Sequence, residues 1–122
     1  MMYRVDRDNQ VSKTREVMNK KNELGQLNPV YQKMIIDFID RYVPQGKVIL
    51  FGSRATGTAR QGSDIDIAID AGQKITDGSI GRLRLAIEEE LNVPIKVDLS
   101  DFYDLPESFQ KVVREKGILW RS

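Results

Sequence analysis

The sequence predicts a single small α/β domain, in which a mixed β-sheet is flanked by helices. Three short runs have the apolar pattern of β-strands, and they alternate with segments whose apolar residues recur at helical spacing. That order of elements is typical of a small α/β sandwich. The length of 122 residues fits one domain and allows a hydrophobic core without disulfides or a structural metal.

The first predicted helix begins at Asn28-Pro29, an amide cap followed by a proline in the first turn, and ends at Pro44. Its apolar face consists of Val30, Met34, Ile35, Phe38, Ile39 and Tyr42. The first strand, 48–51, is apolar on both faces, as expected of a buried central strand. A short helix over 53–60 and a turn at 61–63 are expected to follow.

The second predicted strand, 64–70, alternates strictly, so successive side chains face opposite sides of the sheet. One side carries Ile65, Ile67 and Ile69. The other side carries Asp64, Asp66 and Ala68. The segment Thr76-Asp77-Gly78 leads into a helix that is broken at residues 92–94. The inward residues of this helix are predicted to be Ile80, Leu83, Ile87 and Leu91.

The third predicted strand, 95–99, places Asp98 on the side opposite its apolar residues. Pro106 begins a last helix, and Gly117 ends it. The side chains of this helix that are predicted to face inward are Phe109, Val112 and Val113. Residues 118–120 are expected to add a short edge strand.

Composition excludes several classes of chemistry. The chain has no cysteine and no histidine, which excludes disulfides, zinc sites built on these residues, thiol catalysis and a Ser-His-Asp triad. A general base must therefore be Asp, Glu, Lys or Tyr, and oxygen ligands favour Mg²⁺ or Mn²⁺. The net charge of +1 provides no overall field for nucleic acid or an acidic membrane, so no direct nucleic-acid binding is expected.

Residues 1–25 are predicted to be an N-terminal arm, and residues 26–122 the domain. Ser12 could cap a helix that runs to about Leu24, and the arm is either loosely docked or a partner-binding element. It has no continuous apolar segment of the kind a signal peptide needs, and no apolar run approaches the ~20 residues that span a bilayer. A cytoplasmic location is therefore expected.

Three aspartates are candidate metal ligands and catalytic groups. Asp64 and Asp66 are two residues apart on one strand, so their carboxylates repel each other unless a cation lies between them. If the strands that carry Asp66 and Asp98 are neighbours, three carboxylates converge. Such a set can hold two metal ions roughly 3.5–4 Å apart. Asp98 could bind the second ion, act as the base for an attacking hydroxyl, or do both.

A second group of residues is suited to phosphate. Gly52 has no Cβ and lets the backbone approach a phosphate, and Ser53 offers a hydroxyl and an N–H group at a helix start. Arg54 and Arg60 could add charge to a departing pyrophosphate, and Ser63 is a further candidate contact. A Gly-Ser pair alone is usually a turn. Its position ten residues before two spaced aspartates is what indicates a nucleotide site.

These residues resemble the DNA polymerase β-type nucleotidyltransferases, and most closely the minimal nucleotidyltransferase (MNT) proteins of prokaryotes. The shared pattern is Gly52-Ser53 after an apolar strand, then Asp64 and Asp66, then Asp98 in a later strand. The resemblance implies that the Gly-Ser pair contacts the triphosphate of ATP and that the aspartates bind Mg²⁺. It also implies a minimal nucleotidyltransferase fold.

The resemblance covers residues 27–120 and leaves out residues 1–25. MNT proteins are commonly paired with a helical HEPN-type RNase toxin, and some act as its antitoxin by transferring AMP to a tyrosine. The chain has almost no residues for an acceptor-binding domain, which favours a protein acceptor and an assembly with the partner. Two alternatives stay open: a non-catalytic antitoxin that occludes its partner, and a transferase that modifies a small molecule such as an antibiotic.

Overall fold

The computed structural model describes residues 27–122. The elements, in chain order, are α1 (Pro29–Tyr42), β1 (Lys47–Phe51), α2 (Ser53–Thr56), β2 (Ile65–Asp70), α3 (Ser79–Glu90), β3 (Val97–Asp101), a 3-10 turn (Phe102–Asp104), α4 (Glu107–Lys116) and β4 (Ile118–Arg121). The predicted α/β fold class is confirmed. The arm predicted over 1–25, with its helix, lies outside the described residues.

The four strands form one mixed sheet in the order β3-β2-β1-β4. β1 pairs antiparallel with β2 and β4, while β2 and β3 are parallel. A parallel pair needs a crossover connection, and α3 supplies it. β1 is central and β4 is an edge strand, as the sequence predicts.

The two faces of the sheet are covered unequally. The first face packs against α1 and α3 and forms the main core with them. The wholly buried side chains of this core include Ile35, Ile39, Ile65, Ile67, Ile69 and Leu83. The second face carries a smaller buried cluster of Ala68, Phe102 and Val113. Only Val113 of α4 is buried, so this helix covers only part of the second face.

The start of α1 follows the predicted pattern. Pro29 occupies the first turn, and the Asn28 side chain accepts a hydrogen bond of 2.9 Å from the backbone N–H of Val30. At the start of α3 the Asp77 carboxylate accepts a bond of the same length from the backbone N–H of Ser79. Both side chains supply an acceptor for an N–H group that has no partner within its own helix. No helix within residues 27–122 combines the length and apolar character needed to cross a membrane.

Three predicted details are wrong. α2 ends at Thr56 because Gly57 adopts a left-handed conformation (φ 81°) and turns the chain away. β3 begins at Val97 and continues to Asp101, two residues beyond the prediction. Phe109 and Val112 do not face inward: they are 54% and 42% exposed, because α4 reaches the sheet only along the side that carries Val113.

Candidate functional site

The centre of the candidate site is a pair of carboxylates on adjacent strands. Asp66 of β2 and Asp98 of β3 are register partners in the parallel ladder, so both lie on the second face, side by side. On its other side, Asp66 pairs with Phe51, the last residue of the antiparallel strand β1. The residue after β1, Gly52, therefore lies next to Asp66. The sheet brings these three predicted residues together.

The electrostatic environment of Asp66 suits a cation. Burial raises the pKa of Asp66, and the neighbouring charges of Asp98 and Asp64 raise it further, while Lys96 acts in the opposite direction. Burial and the two neighbouring negative charges thus leave the ionised carboxylate under-compensated in this position. A divalent cation would offset the repulsion, and carboxylate oxygens are the ligands that Mg²⁺ prefers. The donor set therefore fits a magnesium ion.

Asp64 lies one residue before β2 and is exposed. Its charge acts on Asp66 and on the guanidinium of Arg54, which places it at the border of the site. Within residues 27–122, no three acidic side chains are gathered into a preassembled metal-binding cluster. The arrangement is thus a close pair, Asp66 and Asp98, with Asp64 beside it.

Gly52 adopts a positive φ of 77°, which L-residues with a side chain rarely take. A Cβ added to Gly52 would collide with the carboxylate of Asp66. The absence of a side chain at this position is what makes room for that carboxylate. Ser53 follows directly as the first residue of α2, so the backbone turns sharply beside Asp66.

Arg54 and Ser63, which are predicted to contact phosphate, make hydrogen bonds that stabilise the loop between α2 and β2. Arg54 is only 6% exposed, and its Nε donates a 2.9 Å hydrogen bond to the carbonyl oxygen of Ser63. Burial lowers the pKa of Arg54, and the nearby Asp64 partly offsets this. The Ser63 hydroxyl accepts a 2.9 Å bond from the backbone N–H of Arg60. These contacts hold the start of β2, and any contact with phosphate remains a prediction.

An open cleft of about 470 Å³ adjoins the carboxylates. Asp66 and Asp98 lie in its lining together with apolar side chains that include Phe109 and Val112 of α4. The sequence does not reveal these two residues as site residues, because their helical spacing is also that of a stripe that faces the core. A cleft of this size, apolar with a few polar groups, is typical of a small-molecule or side-chain site.

Comparison with known proteins identifies the family to which the chain belongs. Residues 33–121 match the family described as Polymerase beta, Nucleotidyltransferase. The chain therefore belongs to the polymerase β-type nucleotidyltransferase family. The resemblance found in the sequence is confirmed.

Individual relatives point in the same direction. The chain is 30% identical to the "Probable protein adenylyltransferase MntA" of Haemophilus influenzae over 96 residues, which cover 79% of this chain and 76% of that protein. A chain from a toxin-antitoxin crystal structure with AMP-PNP is 26% identical, with a TM-score of 0.61, over 75% of this chain and 73% of that one. A chain from a complex of tri-AMPylated Shewanella oneidensis HEPN toxin with MNT antitoxin shares the fold (22% identity, TM-score 0.59, 79% and 73% covered).

Proposed function

We propose that this chain is a Mg²⁺-dependent protein adenylyltransferase that moves AMP from ATP to a hydroxyl of a HEPN-type toxin and so acts as its antitoxin. Tyrosine is the expected acceptor. The observation that carries the proposal is the register of Asp66 with Asp98, with Gly52 packed against the Asp66 carboxylate. The Haemophilus relative, named as a protein adenylyltransferase, supports the reaction type. The toxin-antitoxin structure with AMP-PNP supports the nucleotide and the kind of partner.

The strand order suggests how the substrates are arranged. Gly52 and Ser53 follow β1, whereas Asp98 lies on β3, and Asp66 is between them. We assign the triphosphate to the Gly52–Ser53 turn and the acceptor hydroxyl to Asp98. The acceptor oxygen forms a bond with the α-phosphorus, the bond to the α,β-bridging oxygen breaks, and pyrophosphate leaves. The hydroxyl proton passes to the Asp98 carboxylate.

Asp66 and Asp98 would hold the metal, and Asp64 would be a third ligand. The three carboxylates together could hold two ions. Bound there, Mg²⁺ supplies charge to neutralise the triphosphate and acidifies the acceptor hydroxyl. The raised pKa of Asp66 supports this assignment, because it reflects a carboxylate whose charge lacks compensation. Mn²⁺ has the same preference for oxygen ligands and could replace it.

The test is the intact mass of the partner protein encoded by the neighbouring gene, after incubation with this chain, ATP and Mg²⁺. We expect the mass to rise in steps of one AMP, and the rise to disappear with Asp64→Asn or Asp66→Asn. Asp37→Asn is the control, since Asp37 lies on the exposed side of α1, where its ion pair is with Lys33.

The same experiment separates the alternatives. A stable complex without a gain in mass would contradict the proposal and favour a non-catalytic antitoxin. Transfer of AMP to a small hydroxyl compound in the absence of any protein partner would favour a small-molecule transferase. Undiminished transfer by either aspartate variant would refute the assigned mechanism.

A further inference from the structure

The cleft that contains Asp66 and Asp98 is lined on one side by four apolar residues that are close in sequence, and we call them the apolar wall: Leu105, Pro106, Phe109 and Val112. Phe109 and Val112 are three residues apart on α4, so their side chains lie on the same side of that helix. Both are largely exposed, at 54% and 42%. The described residues include other exposed large apolar side chains, such as Val30, Leu85 and Leu119, but these do not line this cleft.

The apolar wall is unsuited to phosphate. The described residues that line the cleft include no lysine and no arginine, and their charged members, Asp66 and Asp98, are both acidic. Pro106 has no backbone N–H to donate. A triphosphate held against this surface would meet no cation, so this part of the cleft belongs to an uncharged portion of a substrate.

The wall also lacks partners for the polar edge of a nucleobase. The backbone N–H of Leu105 donates to the carbonyl of Phe102, at 3.2 Å. The carbonyl of Pro106 accepts from the N–H groups of Phe109 and Gln110, each at 2.9 Å. The side-chain amide of Gln110 donates a 3.2 Å hydrogen bond to the carbonyl oxygen of Leu105. Adenine, with several ring nitrogens and an amino group, would leave polar atoms unpaired here, which is costly.

A phenol ring meets these conditions better, because it is an apolar ring with one polar atom at its end. We infer that the apolar wall selects an aromatic acceptor: it packs against the ring of a tyrosine of the partner protein and directs the phenolic oxygen toward Asp98. This inference rests on the proposed function and adds to it the residues that determine acceptor specificity. Phe109, the larger of the two exposed side chains, makes the principal contact.

The experiment measures initial rates of AMP transfer by the full chain, with ATP and Mg²⁺, to two forms of the partner protein. One form has its acceptor tyrosine, and in the other that tyrosine is replaced by serine. We expect Phe109→Ala to lower kcat/KM for the tyrosine form by about tenfold, in line with the loss of an aromatic pair and its buried area. The rate with the serine form and the KM for ATP should stay unchanged, so selectivity for tyrosine falls.

Two further variants make the result specific. Phe109→Leu keeps apolar bulk at the wall and should recover most of the loss. Leu85→Ala is the matched control, because Leu85 is 53% exposed on α3, outside the cleft, and it should behave as the wild-type chain. Thermal unfolding of Phe109→Ala should match that of the wild type, since an exposed side chain contributes little to the core.

Three outcomes would overturn the inference. A raised KM for ATP with unchanged partner kinetics would assign the wall to the nucleobase. Equal losses with the tyrosine and serine forms would mean that the wall contacts another part of the partner. Unchanged kinetics would mean that no substrate uses it. Absence of transfer by the wild-type chain would overturn the proposed function as well, and this result is distinct from the other three.

Discussion

On the first face of the sheet, isoleucines 65, 67 and 69 are wholly buried under α1 and α3; on the second face, Asp66 and Asp98 lie in an open cleft that α4 only partly covers. The strand β2 contributes side chains to both faces. β2 sends every second residue into the core and Asp66 into the cleft, because strand side chains alternate. The first face can therefore supply stability without limiting what the second face binds.

This division predicts that substitutions on β2 fall into two separable classes. A change on the first face should reduce the free energy of unfolding and spare the chemistry of folded molecules. A change at the cleft should reduce transfer and leave the fold intact. The predictions below begin with the largest expected effect.

Asp66→Asn should reduce AMP transfer by at least about 10³-fold, since it removes a charge that we propose holds the metal and stabilises the transition state. Because the pKa of Asp66 is raised in the folded chain, its ionised form opposes folding at neutral pH. Without Mg²⁺, the variant should therefore melt at a higher temperature than the wild type. Transfer assays and thermal unfolding check both parts, and a lower melting temperature would contradict the second.

Ile67→Ala should lower the free energy of unfolding by about 3 kcal/mol, because it leaves a cavity at a wholly buried site on the first face. At a temperature where the variant stays folded, kcat should equal that of the wild type. Chemical denaturation gives the first quantity and transfer rates the second. Val30→Ala is the control: Val30 is 60% exposed, and its loss should cost less than about 0.5 kcal/mol. A large fall in kcat would mean that the two faces are coupled.

Gly52→Ala and Gly57→Ala compare the two glycines that flank α2. Both glycines have a positive φ, but Gly57 (ψ 11°) lies in the left-handed region, whereas Gly52 (ψ −156°) lies in a region that is essentially restricted to glycine. The backbone cost of the added side chain should therefore be about 1 kcal/mol at Gly57 and larger at Gly52. A Cβ at Gly57 meets nothing within 4 Å, whereas at Gly52 it collides with the Asp66 carboxylate. Gly52→Ala should therefore be less stable by roughly a further 1 kcal/mol and should lose transfer. Equal stability and activity of the two variants would show that the close approach is unimportant.

The smallest expected effect concerns Asp77, which lies just before α3, a helix that packs on the first face. The Ser79 hydroxyl and its backbone N–H lower the pKa of Asp77 below its ordinary value. A lowered carboxyl pKa adds stability above the unfolded pKa, and this is lost as the pH falls through the folded value. Stability should thus decline below about pH 4, and less steeply in Asp77→Asn. Denaturant titrations at several pH values measure the slopes, and a steeper decline in the variant would contradict this.

The elements that the sequence predicted well are those whose pattern is local. The cap at Asn28, the alternation in β2 and the apolar run at the start of β4 depend on neighbouring residues only. The pairing of Asp66 with Asp98 was a conditional expectation, because the register of two parallel strands depends on how the crossover through α3 packs. The contact between Gly52 and the Asp66 carboxylate likewise depends on how β1 and β2 pack together, which the local sequence does not determine.

The details that the sequence misplaced depend on what covers each element. β3 extends to Asp101 because its ladder with β2 continues as far as Ile69. The Asp101 carboxylate is buried there and accepts bonds from the N–H groups of Ile75 and Tyr103, an environment that a charged residue does not suggest from sequence. Phe109 and Val112 have helical spacing, yet no element of the described chain covers them. Periodicity identifies an apolar stripe, and it does not show whether the core or a ligand meets it.

The parallel pairing of β2 with β3 also bears on how the chain folds. β1 and β2 are antiparallel neighbours close in sequence, so Gly52 and Asp66 can meet once a single local pairing forms. Asp98 reaches them only after α3 has crossed the first face and β3 has joined the edge of the sheet. A partly folded chain can thus assemble the half of the site assigned to the nucleotide before the half assigned to the acceptor exists. Completion of folding is itself the step that joins the two halves.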